Sequence, residues 1–212
     1  MSKIAIIGAG RVAATLAAKL ADTRHEVVVG VRSPLEKRTA WPLPAIELLE
    51  IPSAIRAAEI VINATPGATS LELYTPLADA LAGKILIDVS NATRRRDDGL
   101  PGDLLFTDGS LAEHLQRALP STSVVKTLNT MLFTVMTHPA QLGTPPNVFV
   151  SGDDANARAI VRGLLRDLGW NDEWIEDLGG IASARGTEAL ILLAPYFLKA
   201  RGLMPFAVSV AR

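Results

Sequence analysis

The chain has 212 residues, a formal net charge of −1 and 49% hydrophobic residues; this suits one α/β domain, or one with a small extension, whose core needs no covalent staples. It has no cysteine, which excludes disulfides, thiolate metal sites, iron–sulfur ligation and a cysteine nucleophile. The balanced charge argues against sequence-independent nucleic-acid binding, and the longest apolar stretch, 189–198, is interrupted by Pro195 and Tyr196 and is far too short for a membrane span.

In chain order, 3–7 is a compact apolar strand that runs straight into Gly8, with none of the features of a secretory leader. A soluble, cytoplasmic protein is expected. Residues 11–21 predict a helix, with Val12, Leu16 and Leu20 at i, i+4 spacing and the small Ala13 and Ala17 beside them. Strands follow at 26–31, 60–64 and 84–89, with 34–53 poorly defined between the first two. Residues 70–81 predict a helix with Pro76 near its middle, and 92–109 reads as an exposed polar loop. Later strand candidates lie at 121–128, at 147–151 and near Trp174-Ile175. They flank a helix over 153–168 that Asp153 or Asp154 can cap and that ends before Gly169. A final helix is predicted over 181–194. Strands alternating with helices argue for βαβ units, and runs such as IVINA and ILIDV are apolar on both faces, as in covered parallel strands. The expected fold is a Rossmann-type, doubly wound α/β fold with a mostly parallel sheet and a small C-terminal helical extension. The nucleotide-binding part is placed at 1–120, and 121–212 continues the sheet and ends in a buried helix, the two forming one compact unit.

The central motif is Gly8-Ala9-Gly10-Arg11-Val12-Ala13, which fits G-x-G-x-x-G/A between a strand and a helix. Gly8 permits the tight turn, Gly10 lets a pyrophosphate approach the backbone, and Ala13 lets the helix pack close to the strand. The N–H groups and positive end of the helix then face the phosphates. The end of the second strand reads Val31-Arg32-Ser33, with no acid where an NAD site places one for the ribose 2′-hydroxyl. Arg32 offers a forked cation, Ser33 a hydroxyl, and Lys37 or Arg38 a second positive charge for a 2′-phosphate. The expected cofactor is NADP(H).

Four collinear blocks carry a family resemblance. They are 8–13 with His25-Glu26-Val27-Val28-Val29-Gly30 and Arg32; Val124-Val125-Lys126-Thr127-Leu128-Asn129-Thr130; Val150-Ser151-Gly152-Asp153-Asp154; and Asp177-Leu178-Gly179-Gly180 with Ser183-Ala184-Arg185 and Glu188. The chain resembles the NADPH-dependent reductases of the deazaflavin coenzyme F-420. The resemblance implies direct hydride transfer between NADPH and a second flat ring, with coenzyme F-420 as co-substrate. Such chemistry needs orientation and exclusion of water and no dedicated nucleophile or base, and His25, His114 and His138 form no acid–base arrangement. By position, Arg32 and Lys37 match the adenosine phosphate pocket, and Thr65 and Pro66 the loop that passes the cofactor. Asn129 falls in the block near the nicotinamide and second substrate; whether it bonds there or is a turn residue bonding its own backbone stays open. Two departures concern the acceptor more than the cofactor: Asn91 is followed by Ala92-Thr93 rather than by the family's pattern, and Val31 stands where a serine is common. Arg94-Arg95-Arg96 either meets an anionic substrate tail or is a solvated loop, and the second is favoured.

Two other functions stay open: an NADPH-dependent reductase of a small carbonyl or imine, for which little sequence follows the last strand candidate, and a non-enzymatic NADP(H)-binding sensor. The expected partner is a small-molecule redox acceptor, with no nucleic acid and no membrane. Residues 189–194 are apolar all round, so a helix there is expected to be buried on every side. A homodimer is one way to achieve this.

Overall fold

The computed structural model describes residues 1–211. In chain order its elements are β1 (Lys3–Ile7), α1 (Arg11–Ala21), β2 (Glu26–Val31), α2 (Pro34–Arg38), β3 (Glu47–Glu50), α3 (Ile51–Ala57), β4 (Ile60–Asn63), α4 (Gly67–Tyr74), α5 (Ala78–Leu81), β5 (Ile85–Asp88), β6 (Thr93–Arg95), β7 (Pro101–Leu104), α6 (Leu111–Ala118), β8 (Ser123–Lys126), β9 (Val148–Val150), α7 (Ala155–Asp167), β10 (Ile175–Asp177), α8 (Ala184–Ala189) and α9 (Ala194–Arg201). Six strands form one sheet in the order β3-β2-β1-β4-β5-β8, and each adjacent pair is parallel. The order reverses beside β1, so the strand-to-helix turns after β1 and β4 diverge and leave a crevice at the carboxyl ends of the strands.

Side-chain alternation along β1 divides the core. Ile4 and Ile6 join the layer that contains α1 and α7. Ala5 and Ile7 join the layer built from α3, α4, α5 and α6. The sheet is thus covered on both faces, which is why its strands carry no clean polar alternation.

Several elements differ from their sequence reading. The stretch 34–53 holds α2, β3 and the start of α3. The edge strand β3 was missed because only Leu48 of Glu47-Leu48-Leu49-Glu50 is fully buried, so its apolar signal is weak. The helix expected over 70–81 starts at Gly67 and is broken at Thr75–Leu77, a 3-10 turn containing Pro76, before α5 resumes. Proline has no N–H for an internal helical bond, so the chain tightens there. The loop 92–109 contains an antiparallel hairpin of β6 and β7. Strand β9 lies outside the main sheet: it pairs in parallel with β10 and is tied to β8 by one antiparallel bridge, Lys126 to Ser151.

The helix expected over 181–194 is instead a series of short turns, α8, a 3-10 stretch Leu190–Leu193 and α9. Pro195 sits in the first turn of α9, where its missing N–H is not needed. The apolar run is not buried on every side: Leu192 and Leu193 are 37% and 46% exposed, because the 3-10 stretch packs against β7 at the margin of the fold. Beyond α9 the chain returns across the molecule. Leu132 N–H donates to the Phe206 carbonyl at 2.9 Å, and Asn147 N–H to the Val208 carbonyl at 3.0 Å. No described helix is long and apolar enough to cross a membrane.

Candidate functional site

The turn after β1 is shaped by a close approach to β4. Gly8 has φ +125°, and a Cβ added there would lie 2.6 Å from the Ala64 carbonyl oxygen. Only glycine meets both demands. The Gly8 N–H donates to the Gly30 carbonyl at 3.0 Å, which ties the turn to the end of β2. Gly10 caps α1 with no side-chain hydrogen bond, and no acid occupies the first turn. A Cβ on Gly10 would meet nothing within 4 Å. The free N–H groups of α1 therefore face open space that an anion can enter.

That space is a cleft of about 1340 Å³. One wall is Gly8, Ala9, Gly10, Arg11 and Val12, a second is Arg32, Ser33 and Lys37, and a third is Thr65, Pro66 and α4. These are all the cofactor-contacting residues expected from the sequence except Asn129. Among the further residues lining the cleft, which the sequence reading did not assign to a cofactor, are Arg95 from the hairpin and Phe133. The Arg11 guanidinium lies over the Phe133 ring, 5.0 Å from its centroid.

The charge of the cleft is uncommitted. Among the described residues, none of Arg11, Arg32, Lys37 and Arg95 has a carboxylate within ion-pair distance, although Glu36 and Glu72 line the same cleft. Arg95 makes one internal bond, from Nη1 to the Gly99 carbonyl at 2.9 Å. Elsewhere Arg158, Arg162, Arg166 and Arg185 each hold a carboxylate.

Asn129 is 4% exposed and is not among the residues lining the cleft. Its side-chain amide donates to Asn91 Oδ1 at 2.9 Å, and Asn91 Nδ2 donates back to the Asn129 carbonyl at 2.8 Å. This reciprocal pair joins the loops that leave β5 and β8. In the stretch after β8, Leu128 has φ 60°, and the buried hydroxyls of Thr127, Thr130 and Thr134 find no hydrogen-bond partner among the described residues.

Beside the cleft lies a buried charged cluster that the sequence reading did not single out. Lys126 is 1% exposed, and its Nζ is 2.8 Å from Asp88 and 2.9 Å from Glu188. It also donates to the Ser90 carbonyl. Burial disfavours the ammonium, but Asp88 and Glu188 outweigh that effect and hold the Lys126 pKa above its ordinary value. Asp88 Oδ1 accepts from Asn63 at 2.9 Å and from the Ser90 hydroxyl at 2.7 Å. Asn63 Oδ1 in turn accepts from the Thr65 hydroxyl at 2.6 Å and from Tyr74 at 3.3 Å. Full burial, and then Asp88, push the Tyr74 phenol well above its usual pKa. The available signal was a polar residue ending each apolar strand. Asn63, Asp88 and Lys126 are register partners in adjacent strands, so they form one row across the sheet. Among the described residues, no group of three or more His, Cys, Asp or Glu could hold a metal ion.

Residues 3–92 match the family model described as NADP oxidoreductase, coenzyme F420-dependent. A solved structure from Arthrobacter sp. FB24, provisionally assigned as an F420-dependent NADP-reductase, is 38% identical, covers 100% of both chains and superposes with a TM-score of 0.93. The chain belongs to the F420-dependent NADP oxidoreductase family. The F420-dependent NADP reductase of Methanocaldococcus jannaschii is 27% identical over 89% of this chain and 88% of its own. The metalloreductase STEAP3 of Rattus norvegicus is 34% identical over 90% of this chain. The match spans only 36% of STEAP3, so the chain covers little more than a third of that relative. In family terms, the glycine turn, Arg32 and the buried Asp88 fall inside the region that the family model matches, whereas Lys126 and Glu188 lie beyond it.

Proposed function

We propose that this member of the F420-dependent NADP oxidoreductase family binds NADPH in the cleft between β1 and β4 and passes its hydride to a deazaflavin. The observation that carries the cofactor reading is the placement of uncommitted Arg32 and Lys37 at the end of β2, in the same cleft as the open helix terminus at Gly10. The N–H groups at the start of α1 would hold the pyrophosphate. Arg32, with the Ser33 hydroxyl and Lys37, would hold the adenosine 2′-phosphate, for which a forked guanidinium is suited. NADPH, when bound, supplies the hydride. Arg11 and Phe133 form the wall that limits where a second ring can lie, and the reaction needs that ring held close, with water kept out. The deazaflavin reading is supported by what the Arthrobacter and Methanocaldococcus relatives are described as acting on.

The test is oxidation of NADPH by purified protein with the deazaflavin, FMN, FAD and a cyclic imine offered in parallel, and NADH as the control donor. Rapid oxidation with the deazaflavin and NADPH is the expected result. Turnover with the imine in its place would overturn the acceptor, and preference for NADH would overturn the cofactor. The exposed run Leu192, Leu193, Tyr196 and Phe197 supports a homodimer in which a second copy covers this face. A monomer mass by light scattering at micromolar concentration would overturn that part. The proposal also places the protein in the cytoplasm, which cell fractionation tests.

A further inference from the structure

A continuous line of buried hydrogen bonds runs from the cofactor cleft to α8. At the cleft end, Thr65 gives Asn63 Oδ1 two bonds, from its N–H at 3.1 Å and its hydroxyl at 2.6 Å. These donors fix the amide of Asn63 one way round, with Nδ2 turned to Asp88 at 2.9 Å. A carboxylate only accepts, so Asp88 reinforces the same orientation. Lys126 holds the other oxygen of Asp88 at 2.8 Å and reaches Glu188 at 2.9 Å. Glu188 closes the line by accepting the Leu111 and Ala112 N–H groups at 3.0 and 3.2 Å, at the start of α6. Asn63, Asp88, Lys126 and Glu188 are between 0% and 4% exposed. A charged line this deep has no water to substitute for a missing member, so loss of one member reorients its neighbours.

Asn63, Asp88 and Lys126 end the apolar strands β4, β5 and β8 at one level of the sheet. A purely stabilising core there would be met by apolar side chains, and a buried ion pair is weak evidence for stability by itself. What the polar row provides is a fixed direction for the last residue before the cleft.

We propose that Lys126, acting through Asp88 and Asn63, is a positioning residue for Thr65, and that Glu188 ties this line to α8, so that the C-terminal helical segment sets how firmly the cleft holds NADPH. The proposal rests on the reading that the cleft takes NADPH. It makes Thr65 a cleft-lining residue held in place from behind, by the bond of its hydroxyl to Asn63 Oδ1 and by the contact of that hydroxyl with the Ser70 hydroxyl at 3.1 Å. It assigns α8 a part in cofactor binding even though α8 does not line the cleft.

The experiment is a double-mutant cycle on NADPH affinity, read by fluorescence titration, with Thr65→Val at the cleft end and Glu188→Gln at the far end. Coupled neighbours in one network interact well beyond the additivity expected of independent sites. The expected result is that Glu188→Gln weakens NADPH binding about 3- to 10-fold when Thr65 is present and less than about 2-fold in the Thr65→Val background. Thr65→Ser, which keeps the hydroxyl bond to Asn63, is expected to restore the dependence. Where Glu188→Gln fails to fold, Lys126→Arg takes its place in the cycle; it keeps the cation but not the geometry. Equal loss in both backgrounds overturns the proposal and leaves the line a structural element only. The wild-type and Arg32→Ala titrations separate the two readings: no uptake of NADPH by the wild type removes both, whereas Arg32-dependent binding with zero coupling removes only the line to α8.

Discussion

The two ends of the sheet use charge in opposite ways. At the end of β2, Arg32 and Lys37 stand in an open cleft with no carboxylate within ion-pair distance among the described residues. At the ends of β5 and β8, Asp88 and Lys126 are buried, paired to each other and extended to Glu188. Both sets sit at the carboxyl edge of one parallel sheet, where ligands of such folds bind. The difference teaches that position on the fold does not decide what a charge does; its partners decide. Cations left unpaired are available to a phosphate, whereas a buried pair has already exchanged water for protein and is committed to holding backbone and side chains in place.

The comparison breaks most visibly at the closed end. Lys126→Met leaves Asp88 and Glu188 buried and without their cation, and removal of one member of a buried pair costs about 3–5 kcal/mol. A large fall in unfolding free energy by denaturant titration is expected. The same loss should not follow from Arg32→Ala, whose side chain forms no ion pair among the described residues. The pH dependence has a definite sign. Because the Lys126 pKa is raised in the folded state, its contribution is fully present below the ordinary lysine value of about 10.4 and is lost as pH rises through the higher folded value. A wild-type chain as fragile as the Lys126→Met variant at pH 7 would contradict this account.

At the open end the effect is on ligand, not on fold. Arg32→Ala should weaken NADPH binding about tenfold to a hundredfold, the equivalent of about 1.5–3 kcal/mol for a charge-assisted hydrogen bond, and leave NADH nearly unchanged. Its melting temperature should match the wild type. Parallel titrations with both cofactors check it; equal loss for NADPH and NADH would mean that Arg32 does not meet the 2′-phosphate. Arg95→Ala belongs to the same end and sharpens the comparison with a smaller effect. If the hairpin cation faces the acceptor, kcat/KM for an anionic acceptor falls severalfold while NADPH affinity holds, the scale of one exposed charge. A change in NADPH affinity instead would assign Arg95 to the cofactor.

The open end was legible in the sequence and the closed end was not, for a physical reason. The glycine turn follows directly on β1 and Arg32 directly on β2, so both are read from a single strand end each; Gly8 takes a positive φ, and Gly10 faces open space. The doubly wound, mostly parallel fold likewise followed from apolar runs alternating with helical patterns, although the order of the strands did not. The buried cluster joins residues 63, 88, 126 and 188, brought together only by strand register and by the return of α8 to the start of α6. The local pattern offers only a polar residue near the end of each apolar run; nothing in it shows that these side chains meet one another or Glu188. The pairing of Asn129 was hidden in the same way, since its partner Asn91 follows a different strand. The final helical region misled through composition: an all-apolar run implies burial, but that inference says nothing about whether the chain itself provides the cover, and here Leu192 and Leu193 remain exposed.

The smallest effect tests the junction of α6 and α8 from its solvent side. Glu188 holds the first N–H groups of α6 from within, and Glu113 holds the same helix to α8 from outside through Arg185, at 2.7 and 2.8 Å. Glu113 also accepts from the Ser110 hydroxyl at 2.8 Å, and that hydroxyl accepts the Glu113 N–H at 3.2 Å, which completes a capping arrangement. The bond to Arg185, assisted by Ser110, holds the Glu113 carboxyl below its ordinary pKa. A lowered folded value means that this contribution is present above about pH 4.3 and is lost as pH falls through the folded value. Arg185 is 57% exposed, so solvent screens the pair and its contribution is small. Glu113→Gln should therefore lower the melting temperature slightly at pH 7, and the two curves should approach each other as pH falls through the lowered folded value, because glutamine already resembles the protonated acid. Thermal melts across pH 3 to 7 decide it. A difference that persists unchanged at low pH would show that Glu113 acts through packing or the cap alone, and that the outer clamp, unlike the inner one, carries no charge effect.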